Sequence, residues 1–311
     1  MSLVRTVLGD IDRSLLGAVD YHEHLFQVTP LLVGDELVDE ARSGAEAALL
    51  SAAGIGTMVE ATPSGLGRDP AAVRRIAERI DMHIVQTTGL HHGGHYAADS
   101  PLLEQTAEQL TARFVRDIQD GFAETAGDAR PVRAGLVKAG IRYWAIGPFE
   151  RRALAAAAAT AHWTGVAVMV HLDFGSATHE VLDLLAADGL APDRVVLAHA
   201  DRNLDPGLHS SIAERGAYLG YDGMARHREG PDSAILECLA AVAARGHADR
   251  VILGGDVARS RRYIAYGGMP GLAYLPNRFF PRVREVLSAE DAELVIGRNA
   301  ARLLALDERN T

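Results

Sequence analysis

The feature that most constrains the fold of this chain is a regular alternation of short apolar runs with longer helix-like segments. Eight runs, several of them rich in Val, Ile and Leu, have the length of buried β-strands: 17–26, 56–61, 83–88, 133–139, 167–174, 194–200, 217–221 and 250–254. Amphipathic or alanine-rich segments that predict helices follow them: 36–53, 70–80, 102–121, 148–164, 176–188, 208–215, 231–246 and 282–287. Proline often stands where a first helical turn would begin, and glycine where a helix would stop.

Eight strand–helix units in a chain of 311 residues predict an α/β protein, specifically a (β/α)8 TIM barrel. An open, doubly wound sheet is the alternative, but no G-x-G-x-x-G motif follows the first strand. No low-complexity linker interrupts the pattern. We therefore predict a single domain over residues 1–311, with a core from about residue 4 to about residue 306 and a closing helix near its end.

Charge and cysteine content argue against several classes of partner and predict a cellular compartment. Lys plus Arg number 31 and Asp plus Glu 41, so the formal net charge is −10. We therefore expect neither nucleic acid nor a membrane as a partner, and no apolar run reaches the roughly 18 residues of a membrane span. The one cysteine, Cys238, lies in a helix-like run and is interpreted as a core residue. A chain without an internal disulfide fits the cytoplasm.

Residues that can bind metal lie at the ends of five predicted strands. His22 and His24 end the first strand, and because side chains alternate faces in a strand, both point the same way. Four more residues lie near the ends of other strands: Lys138, His171, His199 and Asp256. Each histidine or aspartate alone is more often a hydrogen-bonded polar group. Since the carboxyl ends of barrel strands share one rim, their coincidence predicts a metal site.

These residues resemble the phosphotriesterase family of the amidohydrolase superfamily. The resemblance is carried by Thr6-Val-Leu-Gly-Asp, by His22-Glu-His-Leu25, and by the lysine, histidines and aspartate at the later strand ends, and it extends from about residue 4 to about residue 306. It implies two divalent ions. The more buried ion would be held by His22, His24 and Asp256, and the more exposed one by His171 and His199. Lys138, carboxylated by CO₂ to a carbamate, would bridge them, which explains a lysine in an apolar strand.

The resemblance also implies a mechanism. A metal-bridging hydroxide would attack the scissile group, and Asp256 would be the catalytic residue that accepts its proton. Zn²⁺ is the expected metal, with Mn²⁺, Fe²⁺ and Co²⁺ as alternatives. Asp201 and Asp222 are interpreted either as residues that orient a ligand or relay a proton from behind it, or as loop caps.

The loops after the predicted strands suggest substrate contacts. The segment Gly89-Leu-His-His-Gly-Gly-His-Tyr96 offers His91 and Tyr96, and its histidines are interpreted as substrate contacts, a third metal site or plain hydrophilic loop residues. In the family, the residue just after the strand-7 aspartate often touches substrate. Here it is Gly223, so we expect Arg226 to take that role. Arg259 and Arg262 suit a carboxylate or phosphate, or else form surface ion pairs.

We therefore expect a metal-dependent hydrolase of a small molecule. With aromatics at 5% and polar loops, a carboxylic ester or lactone fits better than an organophosphate, and a polar or anionic lactone such as a sugar lactone fits the arginines. Phosphotriesterase activity would be weak and promiscuous. The alternatives are an amidase acting on N-acyl substrates and a true aryldialkylphosphatase. A more distant alternative is a non-catalytic small-molecule binding protein. A homodimer is expected from the resemblance alone.

Overall fold

A short antiparallel hairpin begins the protein, and the sequence analysis did not anticipate it. The computed structural model describes residues 2–226 and 230–307. The hairpin consists of β1 (Leu3–Thr6) and β2 (Gly9–Asp12), and the guanidinium of Arg5 holds both carboxylate oxygens of Asp10 at 3.0 Å. Val4 is fully buried among the side chains of the barrel interior. The hairpin therefore contributes to the barrel's inner core.

Eight parallel strands then pair in chain order, which confirms the predicted (β/α)8 barrel. They are β3 (Ala18–Glu23), β4 (Ile55–Glu60), β5 (His83–Gly89), β6 (Leu136–Ile141), β7 (Ala167–Leu172), β8 (Val195–Ala198), β9 (Tyr218–Tyr221) and β10 (Val251–Leu253). Every predicted strand overlaps one of these. The largest difference is at β6, which begins three residues later than predicted and places Lys138 in mid-strand.

The first and last barrel strands meet through the segment that follows β10. The amide of Asp256 donates to the carbonyl of His22 at 2.7 Å, and the amide of Gly255 donates to the carboxylate of Asp20 at 3.1 Å. Asp256 has φ +42°, in the left-handed region that side chains rarely adopt. Closure of the barrel and placement of Asp256 beside His22 are thus produced by the same pair of hydrogen bonds.

The helices surround the barrel in the predicted order. They are α1 (Glu40–Ala52), α2 (Pro70–Ala77), α3 (Ala107–Gln119), α4 (Pro148–Thr164), α5 (Thr178–Ala187), α6 (Pro206–Glu214), α7 (Asp232–Ala244), α8 (Phe280–Val286), α9 (Ala289–Glu293) and α10 (Asn299–Leu304). Pro70 and Pro148 occupy first helical turns, and Gly165 ends α4 in a left-handed conformation, as expected. The predicted closing helix is α9 and α10 joined by a π-turn. Among the described residues, no helix has the length and apolar character needed to cross a membrane.

Two apolar layers hold the barrel together. Residues such as Val59, Met169 and Ile252 pack inside it, and their neighbours in sequence pack outward against the helices. The alternation is interrupted in β3, where the register with β4 shifts between Asp20 and Glu23. Tyr21 therefore points into the inner layer, while His22 and His24 both reach the cavity at the strand ends.

Candidate metal centre and its cavity

The six predicted metal ligands converge on one cavity at the carboxyl ends of the barrel strands. The cavity has a volume of about 390 Å³, and its lining includes His22, His24, Lys138, His171, His199 and Asp256. All six side chains are buried, with exposed fractions of 1% to 8%. The fold therefore brings these six residues together at one rim, as predicted. The geometry of each side chain decides what it can bind.

The two histidines of β3 each use one ring nitrogen for support and leave the other toward the cavity. Nδ1 of His22 lies 3.0 Å from a carboxylate oxygen of Asp222, and Nδ1 of His24 lies 2.7 Å from the hydroxyl of Thr62. That hydroxyl donates to Glu60, so it accepts from His24. Both rings therefore carry their proton on Nδ1 and keep a lone pair on Nε2, the form in which imidazole binds a metal.

His171 and His199 are held in the same way from their far sides. Nε2 of His171 donates to Asp173 at 2.8 Å, and Nδ1 of His199 donates to Asp222 at 2.5 Å. The two remaining nitrogens, Nδ1 of His171 and Nε2 of His199, are 2.7 Å apart. With the protons held by the carboxylates, two lone pairs face each other. A cation bound by both nitrogens would turn this repulsion into coordination and would move the two nitrogens apart, toward the roughly 3.4 Å that a tetrahedral ion sets.

Burial makes these imidazoles poor bases. It lowers the pKa of His24 to about 3 and that of His199 to about 4, and it holds the pKa of His171 well below the usual range. The rings are therefore neutral at physiological pH. Neutral imidazole is the form that a divalent cation requires.

Asp222 connects the two halves of the cluster. It is fully buried and accepts hydrogen bonds from the hydroxyl of Tyr21 and from the rings of His22 and His199. Burial alone would raise its pKa, but the two histidines hold the pKa below its usual value, so the carboxylate is ionised. One anion thus orients one predicted ligand of each ion.

Lys138 is buried in the middle of β6, with its ammonium nitrogen 3.1 Å from Nε2 of His22. Burial lowers its pKa to about 8, while Asp256 and Asp222 oppose that shift. The backbone at this position is closely approached by Gly89, where a Cβ would lie 2.0 Å from the Lys138 carbonyl oxygen. Glycine is therefore required at residue 89 for β5 to lie against the strand that carries the lysine.

The donor set fits divalent cations. Oδ1 of Asp256 lies 3.7 Å from Nε2 of His22 and 3.6 Å from Nε2 of His24. Donor atoms about 2.1 Å from one tetrahedral ion are about 3.4 Å apart, so these three atoms are already spaced to share an ion. An amine that burial keeps partly neutral suits carbamate formation, because CO₂ reacts with the unprotonated nitrogen.

Two arginines hold the other oxygen of Asp256. Nη2 of Arg226 lies 2.6 Å and Nη2 of Arg202 3.0 Å from Oδ2. Burial would raise the pKa of Asp256, but Arg226 and His22 hold it well below the usual range. The carboxylate therefore has one oxygen paired with arginines and the other facing the histidines of β3.

The predicted substrate contacts are placed unequally. His91, Arg226 and Arg259 line the cavity, but Tyr96 and Arg262 do not. The hydroxyl of Tyr96 donates to the Ser64 carbonyl and accepts from the His91 amide, so it supports the loop instead. Arg259 and Arg262 do not share one face of a helix, because Arg259 is extended and precedes a single 3₁₀ turn.

The two aspartates considered as supporting residues have different positions. Asp222 contacts the predicted ligands directly. Asp201 accepts from the amide of Gly223 at 2.7 Å and shapes the loop after β9. Burial, together with nearby Asp222, raises the pKa of Asp201 to about 7. The absence of a side chain at residue 223 brings this amide to Asp201, since a Cβ there would lie 3.0 Å from Oδ2.

Three charged lining residues were missed by the sequence analysis: Arg142, Asp173 and Arg202. His92 and His95, which the sequence analysis considered only together with their loop, also line the cavity. One local signal could have identified Asp173, because His171-Leu-Asp173 has the same spacing as His199-Ala-Asp201. In the structure, His171 donates to Asp173, whereas His199 donates to Asp222 and not to Asp201. Sequence spacing alone does not separate the two cases.

Known proteins of one family are similar to this chain along most of its length. A model of the phosphotriesterase family matches residues 2–304. A phospho-furanose lactonase of Mycoplasmopsis synoviae is 30% identical, over 98% of this chain and 92% of the relative. A phosphotriesterase homology protein of Mycobacterium tuberculosis is 32% identical, over 82% and 81%. The crystal structure of a lactonase from Listeria monocytogenes superimposes with a TM-score of 0.90 at 27% identity, over 99% of this chain and 100% of that one.

Proposed function

This chain belongs to the phosphotriesterase family of hydrolases, and from that premise we propose that it is a binuclear metal-dependent lactonase acting on an anionic sugar lactone. The observation that carries the proposal is the arrangement of four neutral histidines in one cavity. Each has its outer nitrogen held by a carboxylate or hydroxyl, which leaves its inner nitrogen unprotonated with a lone pair. Such orientation serves metal ligands.

Six residues would hold the two ions. His22, His24 and Asp256 would form one group and His171 with His199 the other. Lys138, whose nitrogen lies 3.1 Å from Nε2 of His22, would bridge them as a carbamate. Carbamate formation joins the lysine nitrogen to CO₂ and releases one proton, so the buried cation becomes an anion. When bound, the ions would supply a hydroxide nucleophile at neutral pH and polarise the lactone carbonyl.

The protein's own contribution is to position groups and move a proton. Asp256 accepts the proton lost as the nucleophile adds to the carbonyl carbon and delivers it to the ring oxygen as the bond between that oxygen and the carbonyl carbon breaks. Arg202 and Arg226, both on Oδ2, keep this carboxylate ionised and fix its direction. Asp173 and Asp222 hold the rings of His171 and His199 in the tautomers whose inner nitrogens are unprotonated.

The cavity favours an anionic substrate. Four arginines line it, Arg142, Arg202, Arg226 and Arg259, against the carboxylates of Asp173 and Asp256. Guanidinium groups suit the oxygens of phosphate and carboxylate. A relative from Mycoplasmopsis synoviae carries the name phospho-furanose lactonase. We therefore assign a phosphorylated furanose lactone as the substrate class, with weak activity toward neutral phosphotriesters.

The first experiment measures metal content and hydrolysis on the same sample, purified without chelators. The panel contains a phosphorylated furanose lactone, a neutral lactone, an N-acyl amide and a phosphotriester. We expect about two ions per chain, activity lost on chelation and restored by Zn²⁺ with bicarbonate, and the phosphorylated lactone as best substrate. Faster cleavage of the amide or the triester would select one of the alternative hydrolases. No metal and no turnover would favour a binding protein.

A matched pair of variants separately tests whether the cavity binds the anionic group of the substrate. Arg259 and Arg261 both pair with Asp35, at 3.3 Å and 3.1 Å, but only Arg259 lines the cavity. Losing a charge-assisted bond to substrate corresponds to a roughly 10- to 100-fold rise in KM. We expect that rise for the phosphorylated lactone in Arg259→Met and not in Arg261→Met. Equal effects of the two variants would remove Arg259 from the anion site.

A further inference from the structure

Three histidines from the loop after β5 form one wall of the cavity. His91, His92 and His95, here called the histidine wall, all line it. The ring centroids of His91 and His95 are 3.6 Å apart, and His92 lies 4.6 Å from each. His91 and His92 are 4% and 5% exposed, which excludes plain hydrophilic loop residues. The metal centre described above does not use them.

The loop backbone determines which nitrogen of His91 and His92 carries the proton. Nδ1 of His91 accepts from the amide of His92 at 2.9 Å, and Nδ1 of His92 accepts from the amide of Gly94 at 3.2 Å. An amide can only donate, so both Nδ1 atoms hold lone pairs. Each neutral ring then carries its proton on Nε2. Both rings therefore offer an N–H donor on the nitrogen that the loop does not hold.

His95 has the opposite tautomer. The hydroxyl of Thr29 lies 3.0 Å from the carbonyl oxygen of His95 and 3.2 Å from its Nδ1. A carbonyl cannot donate, so the hydroxyl hydrogen goes to it, and Nδ1 of His95 donates to the hydroxyl oxygen. Nε2 of His95 is thereby left as an acceptor. The histidine wall thus combines two donors with one acceptor.

The same hydrogen bonds argue against a third metal ion. One ring nitrogen from each of the three residues lies within 4.8 Å of the others, which is compact enough for an ion. Coordination through the nitrogens that the loop does not hold would need lone pairs there, but in His91 and His92 those nitrogens carry protons. Binding an ion would require the loop to surrender two backbone hydrogen bonds. The histidine wall is built for hydrogen bonding instead.

We propose that the histidine wall is the specificity site that binds the ring hydroxyl groups of a polyhydroxylated lactone. A vicinal diol presents two adjacent oxygens that each donate and accept, which matches two N–H donors beside one bare nitrogen. The inference rests on the proposed lactonase function and deepens it. Aliphatic lactones would leave three polar nitrogens desolvated and unpaired, and a site of that kind strongly rejects substrates that lack the hydroxyl.

Histidine tautomers can be read directly, without any turnover. Long-range ¹H–¹⁵N spectra of zinc-loaded, ¹⁵N-histidine-labelled protein, assigned with single His→Gln variants, should show Nε2–H for His91 and His92 and Nδ1–H for His95. The opposite tautomers would overturn the proposal. A zinc titration that finds a third ion, lost in His92→Ala, would overturn it as well and establish a metal site.

Ligand discrimination is tested by binding and then by turnover. Calorimetry compares erythronate, which carries two extra hydroxyls, with 4-hydroxybutyrate, and kinetics compares erythronolactone with γ-butyrolactone. We expect wild type to prefer the hydroxylated member of each pair, and His95→Ala to reduce that preference roughly tenfold for one lost hydrogen bond. His162→Ala, an exposed histidine on α4, should keep the wild-type preference.

Equal reduction for both members of a pair in His95→Ala, or no preference in wild type, would refute the specificity site. Failure of the lactonase proposal gives a different pattern. Neither of these lactones nor the phosphorylated furanose lactone is then hydrolysed, while the tautomers and the erythronate preference are still measured. In that case the histidine wall is tested by those two measurements alone.

Discussion

Replacing Asp222 by asparagine should disable the metal centre without unfolding the barrel. The carboxylate accepts from His199 on Oδ1 and from His22 and Tyr21 on Oδ2. Asparagine keeps the shape but has one oxygen and one amino group. Whichever way the amide is turned, its N–H groups face the Nδ1–H of one of the two histidines. That ring must move its proton to the inner nitrogen or rotate away, and one ion then loses a ligand.

The size of the effect follows from the bond that is lost. A hydrogen bond from an imidazole to a carboxylate contributes about 1.5–3 kcal/mol, which corresponds to roughly 10- to 100-fold in metal affinity. Aspartate-to-asparagine changes that impose the wrong histidine tautomer lower kcat by up to about 10⁴-fold. We therefore expect weaker binding of at least one ion and a loss of kcat between these limits.

Competition with a graded chelator, read by elemental analysis, measures the affinity, and circular dichroism checks the fold. Asp201→Asn is the matched control. Asp201 is equally buried and also lies near a predicted ligand, but its Oδ2 accepts from the Gly223 amide, which an asparagine oxygen can still do. It should keep both ions. If Asp222→Asn retains two ions per chain at wild-type affinity, the tautomer argument is refuted.

Three further predictions concern the lysine and the proton acceptor. Lys138→Met should stabilise the metal-free protein by about 3 kcal/mol while abolishing metal binding, because burial lowers the lysine pKa to about 8 from about 10.4 unfolded. Urea unfolding in chelator measures this, and lower stability of the variant would contradict it. In metal-free wild type the unfolded chain binds more protons between about pH 8 and 10.4, so stability should rise with pH across that window. The same scan on Lys138→Met should show no such rise. Asp256→Asn should lower kcat by about 10²- to 10⁴-fold with the fold intact, and turnover within a few-fold of wild type would exclude Asp256 as the proton acceptor.

The barrel and the rim of ligands were accessible from sequence because both depend on local patterns. Eight apolar runs of strand length separated by helical segments leave few architectures, and the carboxyl ends of parallel barrel strands always share one face. His22, His24, His171, His199 and Asp256 each lie at or just after such an end. Their convergence therefore follows once the fold class is known.

What the residues do at the rim was decided by the tertiary structure. The register shift in β3, the pairing of Arg202 and Arg226 with Asp256, and the choice of Asp173 over Asp201 as a histidine partner all depend on contacts between distant segments. A sequence states which side chains are present, but a histidine's proton lies on the nitrogen that its neighbours in space dictate. The chemistry of this cavity, from the bare nitrogens of the metal centre to the donors of the histidine wall, is determined by those neighbours.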